Sequence, residues 1–116
     1  MSRAAVVLRD ERRVALVRRV EDRHTYFTFP GGDVRTDEQP ADTAVRDARE
    51  KLGVRVVLGP RLLIEEFHGQ TAHYFSAVVV DGDVGTATDE LVWMDLQELP
   101  HYDVRPRPLA AILTGG

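Results

Sequence analysis

The sequence predicts an α+β domain, on three observations. Short β-branched runs precede and follow one amphipathic segment of helical period, a Pro and a Gly bracket that segment, and a second short helical stretch closes the chain. Strands and helices in this order fit a layered α+β arrangement better than a regular βαβ series.

Ala4 to Leu8 and Val14 to Arg18 are mostly apolar runs on either side of Arg9-Asp10-Glu11-Arg12-Arg13, which reads as a hairpin connection between antiparallel strands. Tyr26-Phe27-Thr28-Phe29 is a third short strand, stopped by Pro30 and the flexible Gly31-Gly32 pair. From Gln39 the period changes: Pro40 suits a first helical turn, Ala44, Val45, Ala48 and Leu52 recur at helical spacing, and Gly53 ends the run. Thr43, Arg46, Asp47 and Glu50 fall on the opposite side of this helix of about three to four turns, with Lys51 at their edge.

Val54 to Phe67 is rich in Val, Leu and Ile but is interrupted by Gly59-Pro60, so it is either two strands or one strand bent there. His68-Gly69-Gln70-Thr71 reads as a turn, His73 to Val80 as a strand, and Asp81-Gly82-Asp83 as the start of a loop through Gly85. Leu91 to Leu96 is the last strand candidate, and Pro108 to Leu113 forms a short closing helix.

With 116 residues, 43% hydrophobic and 29% charged, the composition is that of a globular chain with one modest core, and a single domain over 1–116 is expected. No run reaches the roughly 20 apolar residues of a membrane span, and Ala4 to Leu8 is too short for a signal-peptide core, so a cytoplasmic protein with no membrane partner is expected. A net charge of -4 argues against general nucleic-acid binding, which needs a concentrated basic surface. Without cysteine, any metal must rely on carboxylates, histidines or carbonyl oxygens, which favours hard cations.

Chemistry concentrates between Phe29 and Val54, where Gly31-Gly32 precedes Glu38, Arg46, Asp47, Ala48, Glu50, Lys51, Gly53 and Val54. A D-x-x-E pair alone is more often a solvated helix face than a site. The whole constellation, however, resembles the Nudix box, the signature of hydrolases of nucleoside diphosphates linked to another group. Gly32, Glu38, Arg46, Ala48, Glu50, Gly53 and Val54 match it in register. The resemblance implies the Nudix fold, a mixed β-sheet packed between α-helices in an α/β/α sandwich. It also implies Mg²⁺ or Mn²⁺ bound by the Gly32 carbonyl and the carboxylates of Asp47 and Glu50. Arg46 would orient Asp47, and Glu38 would tie the loop to the helix.

Two positions depart from the pattern: Asp47 stands where the family has Glu, and Lys51, the only lysine in the chain, where it has its last Glu. An ammonium has no lone pair to offer a cation and repels one electrostatically. Lys51 therefore either swings out to solvent on its long stem or disables the metal site.

Outside the box, Arg18 or Arg19 and Arg35 are candidates for holding phosphate oxygens, with only one of the adjacent strand arginines able to face a cleft. Phe27 and the Gly31 backbone are further substrate candidates, although a strand Phe is usually core; Trp93 reads as core. Glu90 lies where many Nudix relatives place an additional metal-binding or base carboxylate on a loop. His68 and His73 are too few to make a metal site. The function expected from this resemblance is Mg²⁺- or Mn²⁺-dependent cleavage of a pyrophosphate bond in a small nucleoside diphosphate derivative, weakened by Asp47 and Lys51, with a homodimer plausible. The alternative is a catalytically inactive Nudix-fold module that binds a nucleotide or serves as an interaction domain.

Overall fold

The computed structural model describes residues 1–84 and 90–115; Gly85, expected in a loop, lies outside them. The strands are β1 (Ser2–Asp10), β2 (Arg13–Glu21), β3 (His24–Thr28), β4 (Gly31–Asp33), β5 (Arg55–Phe67), β6 (Gln70–Asp81), β7 (Leu91–Asp95) and β8 (Val104–Arg105). Helix α1 (Pro40–Asp47) runs directly into a π-helical segment, Ala48–Leu52; a 3-10 helix, Leu96–His101, and α2 (Arg107–Leu113) lie near the C-terminal end.

Strand β1 organises the molecule. Its residues from Ser2 to Leu8 pair in parallel with β6, while Arg3–Ala5 pair antiparallel with β4 and only Arg9 and Asp10 pair with β2. The expected hairpin is therefore brief: a two-residue turn at Glu11-Arg12, with Glu11 at φ 56, after which β2 leaves β1 and takes β3 and β7 as neighbours. The sheet curls where the strands part. β5 and β6 form the long antiparallel ribbon on the other side, in the order β5-β6-β1-β2-β3-β8.

Because side chains alternate across a strand, β1 serves two cores at once. Ala4, Val6 and Leu8 meet Ala44, Ala48 and Leu52 of the helical segment, whereas Ala5 and Val7 meet Leu16, Phe29, Leu99 and Leu109 near α2. This is why Ala4 to Leu8 reads as continuously apolar. The α+β class is as the order of elements predicts, and the mixed sheet with helices is as the resemblance implies.

Several local expectations are corrected. Gly31-Gly32 is not a flexible loop but part of β4, held against β1, where a β-carbon on Gly31 would meet the Ala4 carbonyl oxygen at 2.5 Å. The open choice for Val54 to Phe67 resolves into one strand, β5, with its register shifting between Leu58 and Arg61, around Gly59-Pro60. The helix is the expected length, but its second part is π-helical and ends with Gly53 at φ 70. Strands β4 and β8 and the 3-10 helix are too short to show a periodicity. Among the described residues, no helix is long and apolar enough to cross a membrane.

Candidate functional site

The site grows from α1 and the strand it covers. Pro40 occupies the first turn, and the Gln39 amide donates to the Asp42 carboxylate at 3.3 Å, which sets where the helix begins. Just ahead of it, Glu38 ties the segment together. Its Oε1 accepts from the Arg35 amide, the Thr43 hydroxyl and Arg46 Nη2 at 3.1, 2.9 and 2.9 Å, and its Oε2 accepts from Arg46 Nε at 2.6 Å.

Those bonds, the Arg46 pair foremost, hold the Glu38 carboxyl at about 2, well below the usual carboxylate range. The same bonds push the Arg46 guanidinium upward. Glu38 thus ties the loop to the helix as the resemblance implied. Arg46 departs from the role assigned to it: besides Glu38 it reaches Glu50 Oε2 at 3.0 Å and the Asp33 carbonyl at 3.3 Å. Its Nε, Nη1 and Nη2 bonds thus go to Glu38, Glu50 and Asp33.

Asp47 is not on an open acidic face. It is 3% exposed and, with Thr43, one of two buried polar residues among the described ones. It lies under β4, so close that a β-carbon on Gly32 would stand 2.5 Å from its Oδ1. The Lys51 ammonium meets that same oxygen at 2.9 Å and donates to the Gly31 carbonyl at 3.0 Å. Lys51 therefore does not swing away: its stem runs along the surface and its charged end closes a node made of helix, ammonium and β4. The ammonium bonds to the carbonyl of Gly31; the expected metal-binding carbonyl was that of Gly32.

Glu50 is half exposed and faces arginines, with Oε2 on Arg46 and Oε1 3.9 Å from Arg35. Arg35 is accordingly placed beside the helix, near Glu50.

A divalent ion needs oxygen lone pairs converging on one point. Here the Asp47 oxygen and a glycine carbonyl are already joined by an ammonium, and Glu50 is turned to two guanidinium groups. Among the described residues, no three His, Asp or Glu side chains gather as a metal-holding group. With Lys51 in this position, the donor set does not fit Mg²⁺ or Mn²⁺.

On the other side of β1 lies a cavity of about 370 Å³. Arg3, Arg19 and Arg105 line it together with Tyr26, Tyr74 and His73. Arg105 stacks over the Tyr26 ring at 4.0 Å and grips Asp103 through two bonds of 3.1 and 3.0 Å, while His24 Nε2 lies 2.7 Å from the same carboxylate. The Arg105 bonds first, then His24, hold the Asp103 carboxyl at about 2. Burial pushes the Tyr74 hydroxyl up, with Glu65 acting in the same direction, and burial pushes His73 down, helped by Arg61.

The cavity and the lysine node adjoin. Ala5 lines the cavity and pairs across the sheet with Gly31, whose carbonyl accepts from Lys51.

The strand arginines divide as alternation requires. Arg19, paired with Tyr26, faces this cavity, and Arg18, paired with Phe27, lines a separate depression with Trp93, Glu98 and Tyr102. Phe27 lines the same depression but is 9% exposed, packed in the α2-side core and edge-on to Tyr102. Trp93 packs against the α1-side core, as expected. Glu90 begins the entry to β7, where its carbonyl accepts from the Arg18 amide at 2.8 Å.

Arg3 and Arg105 went unnoticed in the sequence because neither belongs to a motif. Arg3 was legible in part, lying two residues before Ala5 on the same strand face.

The NUDIX domain family model matches residues 1–112. Among solved structures, the chain is similar to one from work on MutT of Aliivibrio salmonicida and Vibrio cholerae, with TM-score 0.83 and 16% identity over 99% of this chain and 96% of that one. It is also similar to the E. coli ORF135 protein, with TM-score 0.75 and 24% identity over 98% and 88%. A C. elegans Ap4A hydrolase matches with TM-score 0.71 and 18% identity over 97% and 91%. No curated protein matches at a significant level.

Proposed function

The chain belongs to the Nudix domain family, and from that premise we propose that it is a hydrolase of a small nucleoside diphosphate derivative whose turnover is held low by Lys51. The observation that carries this reading is the junction at Ala5 and Gly31. There a cavity lined by three arginines and two tyrosines adjoins the strand against which the Nudix helix packs. Arginine forks suit phosphate oxygens, and tyrosine rings suit a sugar or base.

The chain's own residues account for binding and orientation. Arg3 and Arg19 supply positive charge beside Glu65, Arg105 is held over Tyr26 by its bonds to Asp103, and Glu38 with Arg46 holds the loop against α1. Nudix hydrolases generally use a divalent metal, whose chemistry is charge neutralisation of the pyrophosphate and activation of water, and with Lys51 in place the donor set here does not fit one. Lys51 stands in the way of that arrangement, so hydrolysis in the natural chain is slow.

The test is product formation from dinucleoside polyphosphates, nucleoside diphosphate sugars and nucleoside triphosphates with Mg²⁺ or Mn²⁺. The natural protein is compared with a variant carrying Asp47→Glu and Lys51→Glu. A rise in turnover in the variant supports the reading; equal and brisk turnover by both shows that the lysine is no brake. The placement of the Lys51 ammonium favours one second reading, a binding module without catalysis. Nucleotide binding by both forms with no product from either would select it.

A further inference from the structure

We infer that Lys51 is the resident cation of this site. Its ammonium, bonded to Asp47 and the Gly31 carbonyl, supplies the positive charge that a divalent ion would bring and offers its remaining N–H to a phosphate oxygen of the ligand. The identity of that ligand rests on the nucleotide reading above; the replacement of the metal does not.

The geometry carries the first half. A carboxylate as buried as Asp47 needs a compensating partner, and its partner is the ammonium at 2.9 Å. Asp47 has little room to turn, because the β4 backbone at Gly32 lies so close over it that even a β-carbon there would clash. A divalent ion would have to enter against a positive charge already bonded to Asp47, one of the oxygens it requires, and to the carbonyl next to the Gly32 carbonyl that the resemblance assigns to it. The structure compensates the charge with a tethered group, which no chelator can remove.

The second half follows from donor bookkeeping. An ammonium has three N–H donors, and two are used, on Asp47 and on Gly31. The Lys51 side chain is 59% exposed, so the third donor is accessible from outside. Arg35, equally exposed and only 3.9 Å from Glu50, supplies a second positive group on the same flank. A lysine point charge is a competent phosphate anchor without a metal.

Calorimetric titration decides it in two arms. In the first, Mn²⁺ alone is titrated into the natural protein and into Lys51→Glu. The expected result is no saturable uptake by the former and one site in the latter. Stoichiometric uptake by the natural protein that Asp47→Asn abolishes would overturn the inference. In the second arm, ADP is titrated in the presence of EDTA into the natural protein and into Asp47→Asn/Lys51→Gln, which removes both charges together so that no buried carboxylate is orphaned.

The double variant should bind ADP about tenfold or more weakly, the loss of one charge-assisted hydrogen bond. Unchanged affinity would overturn the anchoring role. If ADP binds to neither form, the nucleotide reading and the anchoring role both fail, and the manganese arm still decides whether Lys51 replaces the metal. Should Lys51→Glu not fold, Lys51→Gln serves in the manganese arm.

Discussion

Gly32 and Asp47 are in near-contact: a β-carbon on the glycine would stand 2.5 Å from Oδ1 and 3.1 Å from Cγ of the buried carboxylate. The obstacle is the end of a side chain, yet it is not free to move, since Lys51 holds it. Gly32→Ala should therefore cost about 1 to 3 kcal/mol, the usual range for overpacking. Gly31→Ala should cost more, because its obstacle is the Ala4 backbone carbonyl in the paired strand. Urea unfolding of the two variants reads the difference, and equal costs would contradict the close packing of β4 on β1.

Acid stability should depend on Glu38. Its folded pKa is lowered from 4.5 to about 2, so the stabilisation it gives is fully present above the unfolded value and is lost as pH falls through that interval. Asp103, lowered from 3.8 to about 2, acts in the same direction and window. Glu38→Gln should lower stability near neutral pH and flatten the decline below the unfolded value, leaving the part due to Asp103. Unfolding midpoints across that range check both; an unchanged slope would mean that the Arg46 fork is not kept in solution.

Nucleotide binding should distinguish adjacent arginines. Arg19 lines the cavity and Arg18 does not. Arg19→Ala should weaken ADP binding by about tenfold, as expected for one charge-assisted contact, whereas Arg18→Ala should leave it nearly unchanged. Equal losses from both would place the ligand somewhere other than the Arg3–Arg19–Arg105 cavity.

The two cores should respond independently. Leu8 belongs to the α1 side and Leu16 to the α2 side, and both are essentially inaccessible. Truncation of either to Ala should cost about 2 to 5 kcal/mol, and the double variant should give the sum to within about 0.5 kcal/mol. A large coupling in denaturant unfolding would show that the sheet does not separate the layers.

Much of this was legible beforehand, for physical reasons. The 3.6-residue period and Gly53 located the helix, and the register of Gly32, Glu38, Arg46 and Glu50 located the loop it carries, because these depend on neighbours along the chain. The partner of Arg46 was misjudged. The resemblance assigns Arg46 to Asp47, but successive residues on a helix diverge by about 100°, and Glu38, eight positions back, is the one the loop brings into reach. Phe27 packs in the core and lines the Arg18 depression because β3 turns Tyr26 and Thr28 towards the cavity and Phe27 away from it.

By itself the amino-acid order determined the class of fold, the position of the glycine-helix motif and the anomaly of a lone lysine within it. Only the folded chain decided what that lysine does. Whether an i, i+4 ammonium meets its carboxylate or drifts into solvent depends on what covers the pair, and here β4 covers it, burying Asp47 and lending the Gly31 carbonyl. The arginine cavity was likewise beyond local reading, since Arg3, Arg19 and Arg105 come from three strands that meet only when the sheet curls.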